Sequence, residues 1–413
     1  MSNKKNFILM GSYMTLVNVV TGSLAYIYQI AMARMLSKED FVLLSIVLSA
    51  LMLVSSPLSA ISLWICGKVA INKKMHSYAE SINLYKKVNL ALVSGMAGLG
   101  ILSIIQIEFI EKIVKHEITI FVLISAILLC LIYWLNAINN AFYQGEERFF
   151  LISINSVLNI FGKIFLSILL IYWQFNLLGA IWGGILSGAI IWIVFNYTNN
   201  KLTRPDVGIS GATDLSSKFF PILLASVSFS VMMQLDIIFV NYYFSADTSS
   251  KYIAASILGK VILYISAGLV QVMYPMISGS ESSALSSQGD RSTLRHACLA
   301  TIGMCTVIII FYVFWGDKVI TMLYGDSYKG SGQLLVIYSC AIFPMAIVML
   351  AEHYLLAKNQ LLFTWLFVIF APLEMLLIYC FHATPEEIIL CIGICTSTLC
   401  ILGYMILYKK KLI

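Results

Sequence analysis

Runs of about 20 predominantly apolar residues recur along this chain from end to end, and they constrain its fold more than any motif does. A run of that length crosses the hydrocarbon core of a bilayer as a helix. A helix also satisfies its own backbone polar groups where no water is present. Twelve such runs can be counted: 7–33, 42–66, 88–107, 118–138, 151–173, 177–197, 218–244, 252–277, 297–315, 333–356, 362–382 and 388–407. The expectation is an all-α polytopic membrane protein with short connections and no soluble domain. Composition agrees: 60% of the 413 residues are hydrophobic and 11% charged, against about 45–50% and about 25% in a soluble domain. The first run follows Lys4 and Lys5, and Ala31-Met32-Ala33 resembles a cleavage site. Its apolar stretch exceeds the ~7–15 residues of a signal peptide, so it reads as an uncleaved first span. The nine cysteines fall inside apolar runs with no interleaved His or acid. They read as buried, reduced side chains, and no metal site is expected.

Lysine and arginine set the orientation. With the N-terminus in the cytoplasm, 17 of the 26 basic residues fall on the cytoplasmic side and 7 on the other. That bias predicts N-in, C-in. It also accounts for the net charge of +6 through membrane insertion and anionic headgroups rather than nucleic acid. The segment 198–218, "TNNKLTRPDVGISGATDLSSK", has a linker composition and sits at the midpoint of the chain. The expected organisation is an N-terminal six-helix lobe (1–200), a cytoplasmic linker (201–217) and a C-terminal six-helix lobe (218–413), two bundles around a central cavity. "LSKEDFVLLS" and "FSADTSSKYIAAS" form a faint internal repeat, each an acidic turn followed by an aromatic residue, and Pro57 and Pro275 follow in the second helix of each pair.

Five ionisable residues fall within spans: Lys163, Asp236, Lys260, Glu352 and Glu374. Such groups are costly in lipid and normally face a partner or a cavity. Asn155, Asn159, Lys163 and Ser167 are spaced by four, on one helix face. Ser256, Lys260, Tyr264, Gly268 and Gln271 form a second stripe, and Asn18, Gly22, Ala25 and Gln29, ending near Arg34, a third. Polar stripes also serve as contacts between helices; the lysines favour a hydrated cavity. Asp236 and Lys260 lie about 12 and about 13 Å from the same membrane boundary at 1.5 Å per residue, so they are expected either to pair or to form a gate that opens. The glycines of "GAIWGGILSG" predict close helix packing. No nucleotide-binding or hydrolytic motif is present, and the reading is of a non-enzyme.

Four stretches then carry a resemblance: "ARMLSKEDFVLLSIVLSA" (33–50), "AFYQGEERFFLISINSVLN" (141–159), "QLDIIFVNYYFSADTSSKYIAASILGK" (234–260) and "MLYGDSYKGSGQLL" (322–335). With these the chain resembles the polysaccharide flippases of the multidrug/oligosaccharidyl-lipid/polysaccharide exporter superfamily, most of all the bacterial O-antigen repeat-unit flippases of Wzx type. The departures are Val42 and Ser250, where the family often has Gly. The resemblance implies alternating access in the bacterial inner membrane. The implied substrate is an undecaprenyl-diphosphate-linked oligosaccharide, moved from the cytoplasmic to the periplasmic leaflet. Arg34, Lys163 and Lys260 would meet the diphosphate. Asn18, Gln29, Asn155, Asn159, Tyr264 and Gln271 would meet the sugars. Asp236 and Glu374 would couple transport to a proton or sodium gradient, with no cofactor. An O-antigen polymerase and a chain-length regulator are the candidate partners, with membrane lipids around a functional monomer. Two other readings stay open: a multidrug antiporter of the same superfamily, and a membrane polysaccharide polymerase.

Overall fold

The computed structural model describes residues 2–75, 78–115, 118–200, 219–278, 284–357 and 362–409, and among these it contains helices and turns but no strand. The helices are α1 (Ser2–Met35), α2 (Lys38–Ser55), α3 (Leu58–Lys74), α4 (Tyr78–Ile105), α5 (Ile107–Val114), α6 (Ile120–Gly145), α7 (Phe149–Tyr172), α8 (Asn176–Asn200), α9 (Phe219–Tyr243), α10 (Ala246–Gly259), α11 (Val261–Ser278), α12 (Ala284–Tyr324), α13 (Gly332–Ala357), α14 (Leu362–Cys380) and α15 (Pro385–Lys409). Nine segments among the described residues are long and apolar enough to cross a membrane, with α10 and α11 counted as one, and the bent pair α2–α3 is a tenth. α1 is a further helix of 34 residues, and α14 includes the shorter apolar helix Thr364–Cys380. The chain divides into two compact units, 1–226 and 227–413. The expected linker 201–217 lies outside the described residues.

The internal repeat in the sequence corresponds to matching helix starts. Ser37 caps α2 with φ −61°, ψ 159°, and its hydroxyl accepts from the Asp40 N–H at 3.1 Å. Ser245 caps α10 with φ −69°, ψ 160°, and accepts from the Thr248 N–H at 3.4 Å. Each cap satisfies a backbone donor that the helix cannot. Acids in the first turns, Glu39 and Asp40 in α2 and Asp247 in α10, complement the helix dipoles. The following aromatics, Phe41 and Tyr252, are both fully buried.

Both of these spans are then interrupted. α2 and α3 meet at 48°, where Pro57 removes a donor from the helical ladder. The Trp134 indole N–H donates to the Ser55 hydroxyl at 3.0 Å and fixes the break from α6. The second interruption falls at Lys260, whose N–H returns to the Ser256 carbonyl. The apolar run 252–277 predicts one span there, and α10 and α11 together count as one across this one-residue turn. Connections are likewise expected on either side of 297–315, whereas α12 runs from Ala284 to Tyr324. That leaves Gly325–Ser331 as the turn into α13. Gly325 and Gly330 have φ of +103° and +88°, a region that glycine enters without the Cβ penalty. The "YGDSYKGSG" resemblance is therefore a backbone requirement.

In the first unit the small residues set the packing. α7 and α8 run antiparallel with reciprocal contacts. A Cβ at Gly162 of α7 would lie 2.5 Å from the Ser187 hydroxyl of α8, and a Cβ at Gly183 of α8 would lie 2.5 Å from the Ser167 backbone nitrogen of α7. Gly179 meets Leu170 and Ile171 in the same register, and Gly188 packs on Ile132 of α6. These are the contacts expected from the glycine spacing of span 6. At one end of the unit, Lys73 of α3 donates to the Glu146 carbonyl and to the Glu147 carboxylate, both at 2.8 Å. This ties α3 to the α6–α7 turn, where Glu147 holds φ +60°. Burial pushes the Glu146 carboxyl up, against the opposing pull of Arg148 and Lys73.

Candidate functional site

Lys163 in the first unit and Lys260 in the second have different surroundings. In the first unit, Lys163 of α7 crosses the face of Tyr28 from α1, with its ammonium 3.9 Å from the ring centroid. Its side-chain carbons run past Gly184 of α8, where a Cβ would meet Cε at 3.7 Å. Tyr28 is buried and is held by donating its hydroxyl to the Ala180 carbonyl at 3.2 Å. The same carbonyl accepts from Ser167 at 3.1 Å. Among the described residues no carboxylate lies within ion-pairing distance of Lys163. The ammonium is stabilised by the ring quadrupole and keeps donors for another group.

The rest of this stripe is divided. Ser167 is fully buried against α8. The Asn159 backbone carbonyl accepts from Ser187 at 2.7 Å, with its side-chain oxygen at 3.4 Å. Those two positions join helices, while Asn155 is half-buried on the same face. On α1 the Gln29 side-chain oxygen is buried with no hydrogen-bond partner among the described residues, and Arg34 is exposed. The Asn18 and Gln271 side chains lie outside the described residues.

In the second unit Asp236 of α9 is 1% exposed. Its Oδ2 accepts from the Tyr338 hydroxyl at 2.9 Å and the Tyr252 hydroxyl at 3.2 Å. Its Oδ1 faces the Lys260 ammonium at 3.5 Å. Lys260 also donates to the Met233 carbonyl at 2.6 Å and lies 5.8 Å from the centre of the Tyr338 ring. The two charges expected at one depth do pair. The interruption at Lys260 places its side chain beside the preceding span, and Gly259 leaves room for the Tyr338 ring, 2.6 Å from where a Cβ would stand. Glu374 of α14 is 2% exposed, and its Oε2 has no hydrogen-bond partner among the described residues. It interacts electrostatically with both Asp236 and Lys260. Tyr264 is exposed on α11, beyond the turn at Lys260.

Sequence reasoning missed Tyr252 and Tyr338. Nothing local marks Tyr338, which lies 102 residues from Asp236. It also missed a polar seam in the first unit. There the Tyr85 hydroxyl of α4 donates to the Asn139 side chain of α6 at 2.8 Å, near Asn196 of α8 at 3.4 Å. Asn136 of α6 donates to the Gly188 carbonyl at 2.9 Å. The signal for this seam is the spacing of Asn136 and Asn139, and of Gly188, Trp192 and Asn196, each on one helix face.

A family profile described as "Polysaccharide biosynthesis protein" matches residues 31–333. No curated protein is significantly similar in sequence. Among solved structures, an inward-facing multidrug resistance MATE family transporter of the MOP superfamily superposes with a TM-score of 0.70 at 15% identity, covering 95% of this chain and 96% of the other. The lipid II flippase MurJ, in an inward closed conformation, gives 0.69 at 15% identity, covering 97% and 87%. A MOP superfamily transporter from Pyrococcus furiosus, described as having reversed pocket polarity, gives 0.66 at 14% identity, covering 96% and 94%. At these identities the likeness establishes the fold.

Proposed function

The chain belongs to the polysaccharide biosynthesis protein family, and from that premise we propose that it flips a lipid-diphosphate-linked saccharide across a membrane. The substrate in this reading is an undecaprenyl-diphosphate-linked O-antigen repeat unit. It moves from the cytoplasmic to the periplasmic leaflet of a bacterial inner membrane, with both termini in the cytoplasm. The observation that carries the reading is Lys163, a cation within a membrane helix that is seated on Tyr28 with no acid beside it among the described residues. An unpaired ammonium at that depth is costly, and a diphosphate would neutralise it through charge-assisted hydrogen bonds. Asn155 and Gln29 offer hydrogen-bonding groups for sugar hydroxyls, and the polyprenyl tail stays in the bilayer. The driving force is an ion gradient acting through the Asp236–Lys260–Glu374 cluster, by alternating access. The likeness to the lipid II flippase supports a lipid-linked cargo. The likeness to the multidrug transporter supports the rival antiporter reading.

The test uses the reconstituted protein in vesicles containing a lipid-diphosphate oligosaccharide in the inner leaflet. Its appearance outside is read with a membrane-impermeant lectin. Wild type should expose the saccharide, and Lys163→Met should reduce exposure at least tenfold at equal protein. If wild type exposes none but extrudes cationic dyes, the antiporter reading takes its place. In cells, Lys163→Met should cause lipid-linked repeat units to accumulate and surface polysaccharide to be lost.

A further inference from the structure

The seam joining α4, α6 and α8 in the first unit gathers more hydrogen-bonding groups than its own members satisfy. The Tyr85 hydroxyl has a single proton, yet the side-chain oxygens of Asn139 and Asn196 stand at 2.8 and 3.4 Å from it. One of them must find another donor. The Asn139 Nδ2 is buried with no hydrogen-bond partner among the described residues. Turning that amide over does not help, because its oxygen is then stranded in the same place. Asn136 cannot be turned at all. Its Nδ2 donates to the Ile132 and Gly188 carbonyls, both at 2.9 Å, and an oxygen there would face two acceptors. Its Oδ1 is left buried and unpartnered among the described residues. Asn89 follows Tyr85 by one turn on α4, and Trp192 precedes Asn196 by one turn on α8. Both side chains border the Tyr85 hydroxyl, while Asn89 Oδ1 and Trp192 Nε1 are buried without a hydrogen-bond partner among the described residues.

A folded interior rarely leaves so many polar atoms unmet in one place. A cation would suit the two oxygens and be repelled by the Asn139 and Trp192 N–H groups. An anion would suit the N–H groups and be repelled by the oxygens. A hydroxyl that both donates and accepts suits all four. We propose that this three-helix junction is a binding site for fixed water, held beside the Tyr85 hydroxyl between α4, α6 and α8. The water accepts from Trp192 Nε1 and Asn139 Nδ2 and donates to Asn89 Oδ1 and Asn136 Oδ1, in keeping with the ~2–4 hydrogen bonds of a buried water molecule. α4 is then joined to the other two helices through direct bonds at Tyr85 and through water beside them. The site involves neither Lys163 nor the Asp236 cluster, and it does not depend on what the protein carries.

The experiment is hydroxyl-radical footprinting of the full chain in lipid nanodiscs, with an X-ray pulse at set delays after mixing into oxygen-18 water. Tyr85, although buried, and Trp192 should both be oxidised, while buried Phe367 stays unmodified. The oxygen gained by Tyr85 and Trp192 should become labelled later than that gained by exposed Met75. No oxidation at either residue overturns the proposal, and so does label that arrives as fast as at Met75. A footprint that vanishes when sodium and potassium are replaced by choline marks a cation site and also overturns it. A second measurement replaces Trp192 by benzothienylalanine, which keeps the ring shape and exchanges the N–H for sulfur. The same replacement at Trp182, whose N–H donates to Ser125 at 3.0 Å, is the reference. Each should lower the melting temperature by about 2–4 °C. A rise or no change at Trp192 would mean that its N–H had no bond to lose, and the water site would be wrong.

Discussion

Lys163 and Lys260 are the same side chain in the two units, and their surroundings give them opposite properties. Lys260 is held by a carboxylate, a backbone carbonyl and the edge of a tyrosine environment. Lys163 has an aromatic face and, among the described residues, no acid. A buried ion pair is satisfied within the protein, so removing one member is harmful while removing both is tolerated. An ammonium resting on a ring is satisfied only in part, and a ligand can complete it. One lysine is therefore read as part of the architecture and the other as a place for cargo.

The largest effect should come from breaking the pair on one side. Asp236→Asn strands Lys260, at a cost of about 3–5 kcal/mol, and the variant should be depleted from membranes. The double change Asp236→Asn with Lys260→Met should recover wild-type levels by immunoblot. If the double stays depleted, the pair does more than neutralise charge. Next, Tyr338→Phe removes a donor from a charged oxygen, worth about 1.5–3 kcal/mol. The corresponding Tyr28→Phe loses only a bond to a carbonyl, worth about 0.5–1.5 kcal/mol. Thermal unfolding in detergent should rank them in that order, and a reversed order would undo the contrast between the two sites.

Gly183→Ala should cost about 1–3 kcal/mol by overpacking, because its methyl group meets the α7 backbone at 2.5 Å. Gly184→Ala, which faces the more adaptable Leu129 tip at 3.0 Å, should lose less. The comparison is readable in the same melts. The smallest net stability effect belongs to Lys163→Met, because the lost cation–π contact of about 0.5–2 kcal/mol is offset by removing a costly ammonium from the membrane, and no acid is stranded. Its folding should be nearly unchanged while flipping is lost. Equal loss of folding in Lys163→Met and Lys260→Met would mean that the two lysines are not different in kind.

Much of this architecture is legible in the sequence because the bilayer imposes its own length scale. Apolar runs of about 20 residues mark the spans, and counting residues from a boundary puts Asp236 and Lys260 at one depth. The glycine spacing of α8 implies the close packing. What stays hidden depends on contacts far apart in the chain. The polar face of α7 reads as one stripe, yet Ser167 and Asn159 are engaged by α8 and Lys163 is not, a division decided by where Gly183, Gly184 and Ser187 happen to sit. Periodicity also carries α10 straight through Lys260, because a composition that suits a helix does not announce a one-residue interruption.

The reciprocal glycines of α7 and α8 have a mechanical consequence. Ser187 occupies the notch at Gly162, and Ser167 the notch at Gly183, so each helix is both key and lock to the other. A slip of one residue in either direction, about 1.5 Å, drives a side chain into backbone. The two helices must then travel as a single plank, with Lys163 riding at a fixed height along it. Bending falls instead to the weak points of the first unit, foremost the joint at Pro57.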